Sequence, residues 1–197
     1  MTNERRASLE RTTTETSIAV TLSLEGGEVS ADTGVPFFDH MLDQLGRHGR
    51  LGLTVRARGD LDIDAHHTVE DTGIMLGEAL TEALGDKRGI RRYGDALVPM
   101  EEALARVAVD LSGRPLLVYE GDFSGESIGQ YDTALTEEFL QALCRAGKLT
   151  MHVKLLAGRN THHMAEAIFK AVARALGDAV ALDARASGVI PSTKGVL

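Results

Sequence analysis

Two five-residue stretches carry the same pattern of donor side chains, His66-His67-Thr68-Val69-Glu70 and His162-His163-Met164-Ala165-Glu166. Written on a helix, the first His of each lies one turn from the Glu (i, i+4) and the second His lies at i, i+3 from it, while the two imidazoles diverge by about 100°. One such helix can therefore serve two metal ions. A single His-His-x-x-Glu is weak evidence, because a histidine pair on a helix is commonly plain surface. Its recurrence at matching places is stronger, since His is a poor helix former and an idle pair would drift.

The elements that position these residues repeat as well. A shift of 96 superposes the two His-His-x-x-Glu motifs and places Leu80 on Leu176. A shift of 98 aligns Leu42 with Leu140, Leu45 with Leu143, Arg47 with Arg145, Gly49 with Gly147 and Val55 with Val153. A third shift, of 87, sets Glu15 on Glu102, Val20 on Val107 and Leu24 on Leu111. Two copies of one unit, roughly 10–88 and 97–182, cover most of the chain.

Alternating apolar residues in 18–24 and 105–111 predict half-buried strands, each ended by Gly. Residues 36–48 and 136–146 follow a helical period, and 53–56 and 151–154 read as the next strands. The His-His-x-x-Glu helices close each copy and are expected to end at Gly85 and Gly177. The order β-β-α-β-α, taken twice, predicts an α+β protein with helices on one face of each sheet. Residues 188–195 lack periodicity and read as a loop, the kind of segment that frays or clamps a ligand.

Under the 98-residue shift His40 falls on Glu138. The candidate metal ligands are then His40, His66, His67, Glu70, Glu138, His162, His163 and Glu166, enough for two sites of about four protein ligands each. Imidazole and carboxylate without thiolate suit octahedral Mn²⁺ better than tetrahedral structural zinc, with Fe²⁺ and Zn²⁺ as other occupants. The charged run Lys87-Arg88-Gly89-Ile90-Arg91-Arg92 reads by itself as a solvated loop, and Arg114 and Lys170 are singly surface-like, but together with Ser192 and Lys194 they could hold a phosphate. A metal-storage helix bundle and a dinuclear hydrolase would use the same ligands.

Composition narrows the field. The net charge of −8, the low aromatic content and the absence of Trp argue against nucleic acid and anionic membranes as partners. Apolar residues are dispersed, so no membrane-spanning run is expected. The polar start Met1-Thr2-Asn3-Glu4-Arg5-Arg6 is not expected to be a secretory signal, which makes a cytoplasmic location the expectation. The single Cys144 sits in an apolar helical pattern and reads as a packed residue.

Several longer stretches resemble one family closely. Phe-Phe-Asp-His-Met-Leu (37–42), His-His-Thr-Val-Glu-Asp (66–71), Lys-Arg-Gly-Ile-Arg-Arg-Tyr-Gly (87–94), Val-Asp-Leu-Ser-Gly-Arg-Pro (109–115), Asn-Thr-His-His-Met-Ala-Glu-Ala-Ile-Phe-Lys (160–170) and Pro-Ser-Thr-Lys-Gly (191–195) look like signatures of the imidazoleglycerol-phosphate dehydratases, in their monofunctional form. The resemblance spans nearly the whole chain.

It implies a single domain over 1–197, with two four-stranded sheets around a four-helix layer, as in the ribosomal protein S5 domain 2-like fold, and a substrate-binding tail from about 186. It further implies two Mn²⁺ ions per active site and a homo-oligomer of twenty-four subunits with active sites at subunit interfaces. The implied reaction is the sixth step of L-histidine biosynthesis, loss of water from imidazole glycerol phosphate to give imidazole acetol phosphate. Glu15 matches the family's acid/base, acting with metal-bound His67 and His163; Glu15, His40, Gln44, Arg92, Arg114, Lys170, Ser192 and Lys194 match its substrate contacts. Some members carry His where this chain has Glu138.

The chemistry explains the residue types. The C2 hydrogen of such a substrate is not acidic and its C3 hydroxyl leaves poorly. Cations on the imidazole ring would ease loss of the ring proton, so that the electron-rich ring expels the hydroxyl and C2 becomes acidic enough for a general base.

Overall fold

The computed structural model describes residues 5–186, 188–195 and 197. Strands β1 (Arg6–Thr12), β2 (Thr16–Ser23), β3 (Val29–Asp32) and β4 (Gly52–Gly59) form one sheet in the order β1-β2-β4-β3. Strands β5 (Tyr93–Met100), β6 (Ala103–Asp110), β7 (Leu116–Glu120) and β10 (Thr150–Ala157) form a second in the matching order β5-β6-β10-β7. In each sheet one pair is parallel, β3 with β4 and β7 with β10, and the other pairs are antiparallel. Two sheets of identical order and sense record an internal duplication. A small hairpin of β8 (Ser127–Ile128) and β9 (Tyr131–Asp132) belongs to the second half.

Four helices fill the space between the sheets: α1 (Pro36–Gly49), α2 (His66–Leu84), α3 (Leu135–Gly147) and α4 (Thr161–Val180). Helices α1 and α2 cover the first sheet, α3 and α4 the second, and across the middle α1 packs on α4 and α2 on α3. Exchange of the halves maps one of these crossings onto the other. This is the duplicated fold of the ribosomal protein S5 domain 2-like class. No helix among the described residues is long and apolar enough to cross a membrane.

Alternation makes the strands: β2 buries Ile18, Val20 and Leu22 on one face, and β6 buries Ala105, Val107 and Val109. The helical period places Phe38, Leu42 and Leu45 of α1 and Phe139, Leu140 and Leu143 of α3 in the same core, where the Phe38 and Phe139 rings meet edge to face at 5.3 Å. Each such side chain contributes about 1.5–3 kcal/mol by leaving water. Cys144 is buried there too, and burial pushes its thiol up to about 12, which fits a packed residue. Equivalent caps end α1 and α3, with Arg50 (φ 56°) and Lys148 (φ 49°) in left-handed conformation.

Two sequence expectations change. Each four-stranded sheet has one strand more than β-β-α-β-α supplies, because β3 and β7 are short and pair at a sheet edge, leaving little pattern to read. Gly85 does cap α2 at φ +54°, but Gly177 lies inside α4, which runs on to Val180. The reason for Gly177 is packing: a Cβ there would stand 2.4 Å from the carbonyl oxygen of Gly49, where α1 crosses α4.

Candidate metal centre

At the α1–α4 crossing, side chains 126 positions apart converge. Glu166 Oε1 lies 2.9 Å from His40 Nε2 and 2.9 Å from His162 Nε2. The three donor atoms fall within 4.8 Å of one another. Asn160 sets the approach of α4 by accepting hydrogen bonds from the backbone N–H groups of His162 (3.0 Å) and His163 (3.5 Å). Pro36 opens α1 and puts His40 in its second turn, and the Phe37 ring lies edge-on to His162 at 5.1 Å as an apolar wall.

The electrostatics keep this carboxylate ionised. Burial, with only 8% of the Glu166 side chain exposed, opposes the charge, but hydrogen bonds from Lys170, His40 and His162 outweigh it and hold the carboxyl at about 2. Two imidazole nitrogens and an ionised carboxylate within one ion's reach fit a divalent cation of the Mn²⁺, Fe²⁺ or Zn²⁺ kind.

The corresponding α2–α3 crossing holds three more of the candidate ligands, His66, Glu70 and Glu138, in looser form. His66 Nε2 and Glu70 Oε2 are 3.8 Å apart, and His66 and Glu138 line a cavity of about 440 Å³ together with Asp64, Gln130 and Asp132. The second histidine of each motif turns to neither cluster. The His66 and His67 rings stand 6.0 Å apart at 84°, and the His162 and His163 rings 6.2 Å apart at 84°. His67 Nδ1 meets Asp60 Oδ2 at 2.9 Å, and His163 Nδ1 meets Glu102 Oε2 at 2.8 Å.

These two carboxylates were not singled out by sequence reasoning. For Glu102 a signal existed, since it is the repeat counterpart of Glu15; Asp60 sits after β4 in a stretch with no periodicity. The bond to Asp60 raises His67 above the usual imidazole range. Bonds from His163 and from the backbone N–H groups of Asn160 and Arg159 bring Glu102 down to about 2.

The remaining candidates fall into three places. Glu15 lies in the turn between β1 and β2, 54% exposed, with Oε2 3.9 Å from His67 Nδ1. That turn is tied to α2 by Thr16, whose hydroxyl donates to Asp71 at 2.5 Å. Gln44 is half-buried one turn beyond His40, and Lys170 Nζ donates to Glu166 Oε2 at 2.5 Å. Arg92 is clasped by Asp110 (2.7 and 3.2 Å) and donates to the carbonyl of Pro191 at 2.8 Å, which brings the tail with Ser192 and Lys194 beside it. Arg114 reaches the same Asp110 at 3.9 Å. The anion candidates thus split, with Lys170 at the candidate metal ligands, Arg92 and Arg114 around Asp110 with the tail beside them, and Arg91 at 3.9 Å from Asp178 instead. Within the charged run, Lys87 is buried and donates to the carbonyl of Leu111 at 3.0 Å instead of facing solvent.

Comparison with known proteins gives these clusters a context. The sequence profile of imidazoleglycerol-phosphate dehydratase matches residues 33–176. The chain belongs to that family. The imidazoleglycerol-phosphate dehydratase of Frankia casuarinae is 64% identical over 195 residues, covering 98% of this chain and 99% of its own. The crystal structure of imidazoleglycerol-phosphate dehydratase from Staphylococcus aureus superposes with a TM-score of 0.83 at 42% identity, over 90% of this chain and 99% of that one. The enzyme from Pyrococcus furiosus, solved with a bound ligand, gives 0.84 at 36% identity, over 96% and 100%. Imidazoleglycerol-phosphate dehydratases are carbon–oxygen lyases, and membership makes this chain a hydro-lyase of histidine biosynthesis.

Proposed function

We propose that this chain removes water from imidazole glycerol phosphate at a site of two Mn²⁺ ions, with Glu15 as the acid/base. The observation that carries the proposal is the convergence of His40, His162 and Glu166 on one point. His66, Glu70 and Glu138 form the second set by repeat symmetry. His67 and His163, turned away from both clusters within the chain, complete the sites of neighbouring subunits, which favours active sites at interfaces and an assembly of twenty-four. A cytoplasmic location fits the expectation from composition.

A divalent cation at these ligands would supply Lewis acidity to the imidazole of the substrate. The chain's own residues do the rest. Arg92, Arg114, Ser192 and Lys194 bind the phosphate, the first fixed by Asp110 and the last two brought by the tail from about 186. Lys170 adds positive charge beside Glu166, and Gln44 orients the substrate from α1. The C3 hydroxyl leaves first, as water with the ring N–H proton; Glu15 then takes the acidified C2 proton, the ring nitrogen regains a proton, and the resulting enol tautomerises to imidazole acetol phosphate. The tail and the two repeats, 10–88 and 97–182, act as one domain in this scheme.

Incubation of the Mn²⁺-loaded protein with imidazole glycerol phosphate tests the proposal. A ketone product supports it. Released phosphate would make the protein a hydrolase, and no turnover would leave metal storage as the better account.

A further inference from the structure

We infer that Asp60 and Glu102 are the positioning residues of the metal site, fixing His67 and His163 respectively as Nε2 ligands, and that Asp60 thereby releases Glu15 for proton transfer. The inference rests on the proposed function. Its basis is a correspondence between the repeats that is only partly kept.

In both halves the second histidine of the motif has its Nδ1 against a carboxylate, at 2.9 Å for His67 and 2.8 Å for His163. An ionised carboxylate only accepts, so Nδ1 carries the proton and Nε2 keeps the lone pair a metal needs. Such a partner also fixes the ring plane and raises the ligand's basicity. The carboxylates, however, come from different places. Glu102 lies in the turn between β5 and β6, whereas Asp60 directly follows β4.

The true counterpart of Glu102 is Glu15, in the turn between β1 and β2. Glu15 approaches its histidine as Glu102 does but stops at 3.9 Å, beyond hydrogen-bond distance, because Asp60 holds Nδ1. Glu102 is fully engaged: it also accepts from the backbone N–H groups of Arg159 at 3.1 Å and Asn160 at 2.7 Å, pinning the loop that caps α4. The Glu15 carboxylate accepts no hydrogen bond among the described residues and is half exposed. Asp60 keeps its second oxygen, Oδ1, buried without a protein partner, an unfavourable arrangement that a purely structural aspartate would not need. Duplication thus supplied the same glutamate twice. One copy orients a ligand; the other was freed when Asp60 took over that task.

The test is Mn²⁺ titration of the metal-stripped protein by calorimetry, with thermal unfolding as a check on the fold. Wild type is expected to bind two ions per chain. Asp60→Ala and Glu102→Ala should each weaken one ion by 10- to 100-fold, the usual effect of removing such a partner. Asp60→Asn, whose Oδ1 still accepts from Nδ1–H, should stay within about threefold of wild type, a rescue that a loss of packing would not show. Glu15→Gln should leave both affinities intact while cutting turnover about 10²- to 10⁴-fold. Glu15→Ala should leave both affinities intact in the wild-type background but weaken binding further in the Asp60→Ala background, where Glu15 can replace the lost carboxylate and alanine offers no acceptor.

Wild-type affinities in Asp60→Ala and Glu102→Ala would overturn the positioning roles while leaving the metal site standing. Equal effects of Glu15→Ala in both backgrounds would overturn the release of Glu15. If Asp60→Ala does not fold, Glu102→Ala carries the same test on His163. Wild type that binds no Mn²⁺ would bring down the proposed function and this inference together.

Discussion

His40 Nε2 lies 2.9 Å from Glu166 Oε1, a contact that ties α1 of the first repeat to α4 of the second. Among the described residues Glu166 is also the only carboxylate partner of Lys170, whose side chain is 16% exposed against 8% for Glu166. Glu166→Gln removes the charge that both imidazoles and the ammonium face. Elemental analysis should find one Mn²⁺ per chain where two are proposed for wild type. Urea unfolding of the metal-free variant should show a loss of about 3–5 kcal/mol, as for a broken buried pair. Two ions retained would remove Glu166 from the ligand set.

Much of this was legible in the sequence because duplication wrote it twice. The equivalence of His40 and Glu138, read from a 98-residue shift, is realised as the equivalence of the α1–α4 and α2–α3 crossings. The helices were legible because Phe38, Leu42 and Leu45 keep a 3.6-residue period over about two turns. Asp60 was not, because a loop carboxylate has no periodicity and its partner is seven residues away on another element. Gly177 misled, since a glycine that ends a helix and one that admits a crossing helix look alike in sequence.

Cys144 should be silent in the native protein. Burial pushes its thiol from about 9 up to about 12, so almost no thiolate exists at pH 8. A folded pKa above the unfolded one means the protonated form is the one the fold favours. That contribution to stability is complete below about 9 and is lost as the pH climbs from about 9 towards about 12. Iodoacetamide at pH 8 should label Cys144 only after unfolding, as followed by intact mass. Rapid stoichiometric labelling of native protein would contradict the buried assignment.

Arg92 and Lys194 should separate in their effects although both are assigned to the phosphate. Lys194 is exposed in the tail, so Lys194→Ala should raise KM at least tenfold with little change in kcat or melting temperature, as expected when ground-state and transition-state binding are lost alike. Arg92 also neutralises Asp110 and holds the carbonyl of Pro191. Arg92→Ala should therefore raise KM and lower the melting temperature together, and the tail should become more susceptible to protease. An unaltered KM in either variant would take that residue out of the clamp.

The last prediction joins metal to assembly. Within the chain His40, His162 and Glu166 converge, but His163 stands on the same helix with its ring turned 84° from that of His162 and its Nδ1 held by Glu102. His67 is turned away from His66 in the same manner. Under the proposed function a cation at either cluster would gain its further imidazole from another copy of the chain, and the free energy of metal binding would become free energy of association. Chelation at neutral pH should then break the proposed assembly into smaller oligomers and abolish activity, and added Mn²⁺ should restore both in parallel. Size-exclusion chromatography with light scattering, run before and after metal removal, measures this directly. A particle of unchanged mass in protein shown by elemental analysis to be free of metal would mean that the subunits hold together without the ions, and His67 and His163 could then no longer be assigned as ligands between subunits.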